Sequence, residues 1–107
     1  TTSSDYRIKE NLVNLTGAID RVKNFKTYRF NFKDNKSKTV DGFVAHEVAS
    51  IVPEAVVGEK DAVDSNGNID PQALDQAKLV PVLTAALQEA IAKIEVLETK
   101  VAALEAK

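Results

Sequence analysis

The segment from Lys78 to Lys107 constrains this chain more than any other. Val80, Leu83, Leu87, Ala90, Ile94, Leu97, Val101 and Leu104 recur at alternating steps of three and four residues. That rhythm is the a/d seam of a coiled coil, sustained over about four heptads. No glycine interrupts it, and Pro81 lies near its start, where a first helical turn tolerates a missing N–H. About 30 residues rising 1.5 Å each make a rod of roughly 45 Å. The remaining 77 residues cannot surround such a rod, so the seam is expected to meet copies of itself.

The flanking charges set the direction. Lys93, Lys100 and Lys107 occupy g positions, and Glu98 and Glu105 occupy e positions. A parallel, in-register bundle pairs Lys93 with Glu98 and Lys100 with Glu105, whereas an antiparallel one sets like charges together. Each exposed pair contributes only a few tenths of a kcal/mol, but the alternative is repulsive at several places. The helices are therefore expected to run parallel. Ile94 and Val101 at a with Leu97 and Leu104 at d favour two strands, while Ile91 at e widens the stripe and suits three. Seam composition leaves both open.

The preceding residues read as a small mixed domain, giving an α+β class with a head over 1–77 and a stalk over 78–107. Ile8, Leu12, Leu15, Ile19 and Val22 predict an amphipathic helix of about four turns, capped by Ser4 or Asp5 and weakened by Gly17. "KTYRFNFK" (26–33) alternates, predicting a half-buried strand with Tyr28, Phe30 and Phe32 on one face. "DNKSK" (34–38) predicts a turn, with a partner strand after it. Around "AHEVASIVP" (45–53), Val44, Val48 and Ile51 fall at helical spacing and predict a short helix ended by Pro53, and "EAVV" (54–57) predicts a short strand. Asn66-Gly67 carries the type I′ hairpin signal. The Asp/Asn spacing around it resembles a calcium loop, but the glycine is out of register and no glutamate lies twelfth from Asp64. No metal is expected.

Composition removes further classes. With no cysteine and a single histidine, His46, disulfides, thiolate metal sites and paired imidazoles within one chain are excluded. No apolar run is long enough to span a bilayer, so no membrane partner is expected. Residues 1–38 hold nine Lys/Arg against four Asp/Glu, and the rest of the chain is acidic. That basic half lacks an aromatic stacking surface, so nucleic acid is not expected. No pocket-like cluster suggests a small-molecule ligand or a cofactor. Thr1 comes first and there is no methionine anywhere, so the chain reads as a fragment or a processed product.

Ser4 and Lys9 open two alternatives: helix capping, or a serine–lysine pair. A lysine amine is a poor base because its reference pKa is about 10.4; bringing it near neutrality takes about 4 kcal/mol of differential stabilisation, which burial supplies. Five residues on a continuous helix lie about 140° apart around the axis. The two can meet only if Ser4 sits in an extended segment that folds back, or across chains.

"SDYRIKENL" (4–12), "YRFNF" (28–32), "GFVAHEVASIVPEAVV" (42–57) and "LVPVLTAALQEAIAKIEVLETKVAALE" (79–105) occur in this order. Together they resemble the C-terminal intramolecular chaperone domains of bacteriophage tail fibres, tailspikes and neck appendages. These form a self-cleaving serine peptidase family with a related domain in the myelin regulatory factor. The resemblance implies a homotrimer whose stalk interface is Leu83, Leu87, Ala90, Ile94, Leu97, Val101 and Leu104. It implies that the domain assists folding of an upstream fibre or spike in the same polypeptide and then releases itself by autoproteolysis. The setting would be the host bacterial cytoplasm during virion assembly.

By that resemblance Ser4 matches the family nucleophile and Lys9 its general base. On chemical grounds the natural target is the bond between Ser3 and Ser4, in a chain that still retains Thr1–Ser3; Asp5 could orient the group, and Arg7 as a nearby cation would add to the shift of the lysine. His46 stands where family members usually carry glutamine, so a base is not required there. Residues 61–78 form a longer segment than the family's usual short hairpin. The competing expectation is a structural trimerisation tip without chemistry.

Overall fold

The computed structural model describes residues 2–107; Thr1, where the head was expected to start, lies outside the described residues. The helix expected from Ile8 to Val22 does not form. Its two ends fold separately, as a 3₁₀ turn at Tyr6–Ile8 and a helix α1 at Ala18–Lys23. Between them the chain runs without regular structure. Two left-handed residues stand in the way, Asn11 at φ 55° and Gly17 at φ 69°; neither fits a right-handed helix. The first half of the apolar stripe also has nothing to cover it, since Ile8 and Leu12 are 67% and 73% exposed, whereas Ile19 and Val22 in α1 pack against the core. A helix this short is stable mainly through a buried face.

Strands β1 (Tyr28–Phe32) and β2 (Asn35–Gly42) form an antiparallel hairpin around Lys33-Asp34. The expected turn at 34–38 is therefore shorter, and β2 begins at its second residue. Tyr28 pairs with Gly42, Phe30 with Val40 and Phe32 with Asn35, with a bulge between Phe30 and Phe32. Only Phe30 of the aromatic face is partly buried, whereas Tyr28 and Phe32 are exposed.

Helix α2 (Ala45–Ala49) buries Val48, and Pro53 opens a following 3₁₀ turn, Pro53–Ala55. Strand β3 (Val56–Val57) pairs with β4 (Ala73–Leu74), antiparallel. The segment between them closes on one bridge, Val63 to Ile69. Its turn is not type I′: that turn needs positive φ at both central residues, and Gly67 has it at 79° while Asn66 does not. The Asp64 carboxylate instead accepts the N–H groups of Asn66 (2.8 Å) and Asn68 (3.0 Å), and the Gly67 N–H reaches the Asp64 carbonyl at 3.0 Å. The spacing that resembled a calcium loop thus serves an Asx turn.

A 3₁₀ turn, Gln76–Leu79, leads into α3, the 26-residue helix Val80–Glu105. The chain is α+β, a small strand-containing head with a long C-terminal helix. The core consists of Ala18, Val48, Val52, Ala55, Leu79, Val82 and Ala86, none more than 8% exposed. It draws on α1, α2, the 3₁₀ turns Pro53–Ala55 and Gln76–Leu79 with the adjoining Val52, and only the first turns of α3. Beyond Ala90 every residue of α3 is exposed.

The radius of gyration is 19.6 Å, against about 13 Å for a compact chain of this length. The accessible surface is 9021 Å², where a folded monomer of this mass shows roughly 5,800 Å². Among the exposed apolar residues are Leu87, Ile94, Leu97 and Leu104, each more than half exposed. Val82 and Ala86 face the head while the a/d seam stays uncovered, so the two faces of α3 do not compete for the same side chains.

Candidate functional site

The N-terminal turn is built by Asp5. Its Oδ1 accepts the Arg7 backbone N–H at 2.9 Å, capping the Tyr6–Ile8 turn, and the Ile8 N–H bonds to the Asp5 carbonyl at 3.1 Å. Arg7 returns along its own side chain, donating from Nε to Oδ1 at 3.0 Å and from a terminal nitrogen to Oδ2 at 2.8 Å. The side-chain bond to Arg7, reinforced by the Arg7 backbone N–H, holds the Asp5 carboxyl below its ordinary value; the same bond raises the Arg7 guanidinium. Of the two capping candidates, the aspartate takes the role.

The Ser4 hydroxyl is therefore not spent on the turn. Lys9, immediately after the turn, has extended backbone and donates its N–H to the Tyr6 carbonyl at 3.2 Å. Its Nζ lies 2.5 Å from Ser4 Oγ. The structure brings Ser4 and Lys9 together within one chain, by way of the tight 3₁₀ turn. Ser3, Ser4, Asp5, Arg7 and Lys9 are all exposed in the single chain, so any burial of the amine has to come from outside it. Arg7 is committed to Asp5 rather than standing as a free cation beside Lys9.

In chemical terms the pair can exchange one proton. An ammonium at Lys9 donates to the hydroxyl, whereas a free amine at the same distance accepts the hydroxyl proton and leaves an alkoxide nucleophile.

His46 is exposed on α2, and Ser4 is hydrogen-bonded to Lys9 rather than to it. Its neighbour Glu47 accepts a hydrogen bond from the Tyr28 hydroxyl at 2.9 Å, tying β1 to α2. The anticipated seam residues Leu83, Leu87, Ala90, Ile94, Leu97, Val101 and Leu104 lie along α3, and all but the part-buried Ala90 are exposed. Among the described residues, Lys93, Lys100, Glu98 and Glu105 form no ion pair within the chain.

One residue had no signal in the heptad pattern. Glu89 accepts the backbone N–H groups of Ala18 at 3.0 Å and Ile19 at 3.2 Å. A c position on a coiled-coil helix ordinarily faces water. The only hint was Gly17, which has no side chain with which to cap the helix that follows it.

A family model described as Chaperone of endosialidase, within a peptidase family, matches residues 4–57. The match starts at Ser4 and runs through α1, the β1–β2 hairpin and α2 to the end of β3; α3 lies outside it. No curated protein matches the chain.

Proposed function

This chain belongs to the Chaperone of endosialidase family, and from that premise we propose that it is a C-terminal intramolecular chaperone which frees itself by serine–lysine autoproteolysis. In this reading α3 assembles three copies in parallel through its a/d seam. The assembled heads assist folding of an upstream fibre, spike or appendage domain of the same polypeptide, in the host cytoplasm during virion assembly. The domain is then cut away. The observation that carries the chemistry is the 2.5 Å approach of Lys9 Nζ to Ser4 Oγ. The uncovered seam of α3 supports the assembly.

The reaction begins when neutral Lys9 takes the Ser4 hydroxyl proton as Oγ bonds to the carbonyl carbon of Ser3. The C–N bond between Ser3 and Ser4 breaks, and the Lys9 ammonium returns the proton to the leaving Ser4 amine. Ser3 is then held as an ester on Ser4 Oγ. Water, deprotonated by the same amine, hydrolyses the ester, restoring the hydroxyl and leaving a carboxylate on Ser3. Exposure of the pair in a single chain suits a reaction timed by assembly, because a neighbouring copy that excludes water disfavours a charged amine.

The test is Ser4→Ala in the chain with its native upstream domain, read by gel and intact mass at equal extents of assembly. Cleavage should disappear while trimers still form. Cutting at the same bond would remove the chemistry and leave a structural trimerisation tip.

A further inference from the structure

We propose that Glu89 is a positioning residue for the cleavage segment: its carboxylate, on the stalk helix, fixes where the strap carrying Ser4 and Lys9 is rooted. This rests on the serine–lysine reading above.

Helix α1 begins without a local cap. Gly17 occupies the N-cap position in a left-handed conformation and has no side chain to offer. The first amides of a helix need acceptors, and here Oε2 of Glu89 takes the Ala18 N–H and Oε1 takes the Ile19 N–H. The acceptor comes from 71 residues away in sequence. Ala18 is wholly buried in the same core as Val82 and Ala86 of α3. Among the described residues, these are the only side-chain hydrogen bonds between α3 and the head.

The strap itself has little else to hold it. Among the described residues, those from Glu10 to Thr16 make no hydrogen bond to the rest of the chain. Its final residues, Asn14–Thr16, line a cleft with Val80, Pro81 and Thr84 on the first turns of α3. The root of the strap is therefore set by the clamp at Ala18 and Ile19. Glu89 lies beside Ala90, a d residue of the seam, so the helical turn that would close against neighbouring copies also holds the strap. Assembly of the stalk and placement of the nucleophile share one rigid element.

The experiment compares Glu89→Ala and Glu89→Gln with Val82→Ala, in the chain with its upstream domain. Val82→Ala weakens the same core on the same helix without touching the clamp. Three quantities are read: the extent of assembly, the single-turnover cleavage rate at equal assembly, and amide exchange at Ala18 and Ile19. Glu89→Ala should slow cleavage by at least about tenfold and expose both amides to exchange. Glu89→Gln keeps one acceptor oxygen and should fall between it and the wild type. Val82→Ala should cut at the wild-type rate. If Glu89→Ala does not assemble, Glu89→Gln carries the comparison.

A rate within twofold of wild type in the assembled Glu89 variants overturns the inference, as does an equal slowing in Val82→Ala. Ser4→Ala is run in parallel. If it abolishes cleavage while the Glu89 variants cut normally, only the positioning role fails; if it still cuts, the serine–lysine reading fails and takes this inference with it.

Discussion

Arg7 grips Asp5 with three hydrogen bonds, one from its backbone and two from its guanidinium, at 2.8–3.0 Å. This closes the turn that sets Lys9 against Ser4. Asp5→Ala should release the turn and lower cleavage by roughly 100-fold, the scale of loss when reacting groups are misplaced by about 1 Å, while assembly persists. Because Arg7 holds the Asp5 carboxyl below its ordinary value of 3.8, the turn's contribution is fully present above that value and fades only as pH falls through the lowered one. Across the range from about pH 5 to 8 the turn that carries Ser4 and Lys9 should therefore stay closed.

Lys9→Arg separates charge from basicity. A guanidinium preserves the positive charge and much of the stem but stays protonated even when buried. Intact mass should show uncut, fully assembled chains. Normal cutting by this variant would reduce Lys9 to an electrostatic contact.

The seam makes an independent prediction. Leu97 is 58% exposed in one chain and occupies a d position, so the proposed trimer would bury three copies of it in a layer. Leu97→Asp then places three carboxylates in an apolar environment, each costing several kcal/mol. Sedimentation should find monomers, and an upstream domain that needs the chaperone should become protease-sensitive. Wild-type assembly of Leu97→Asp at micromolar concentration would rule out this interface.

Leu79 tests the head core separately. It is 2% exposed at the junction of the last 3₁₀ turn and α3. Leu79→Ala should destabilise by about 2–5 kcal/mol, the range for a buried Leu→Ala cavity. Urea unfolding with an unchanged slope would measure it.

Tyr28 supplies a titration at high pH. Its hydrogen bond to Glu47, aided by burial and the carboxylate's charge, raises its pKa above the ordinary 10.0. A raised folded value means that the contribution is complete below about pH 10 and is lost as pH climbs through that folded value. Tyr28→Phe should therefore cost stability at neutral pH, and its difference from wild type should shrink in strong base. Unfolding midpoints measured from neutral to strongly basic pH check this.

By itself the sequence determined the elements whose signals are local. The heptad rhythm from Val80 onwards marked α3, the alternation at Tyr28, Phe30 and Phe32 marked β1, and the spacing of Val44, Val48 and Ile51 before Pro53 marked α2. Each follows from a period of 3.5, 2 or 3.6 that neighbouring residues alone can express. The Ile8–Val22 stripe had the same helical period, and there the period misled. A helix needs a surface for its apolar face as well as residues that permit it. Asn11 and Gly17 adopt left-handed backbone, and no part of the single chain covers Ile8 or Leu12.

At the site, sequence put Ser4, Asp5, Arg7 and Lys9 within reach of one another but left the cap between Ser4 and Asp5. The tertiary structure decided it: Arg7 binds the carboxylate twice more, and a hydroxyl could not accept that fork. Glu89 was decided by tertiary structure alone. Its partners are amides 71 and 70 residues away, and a contact made by chain folding across that distance leaves no period in the sequence.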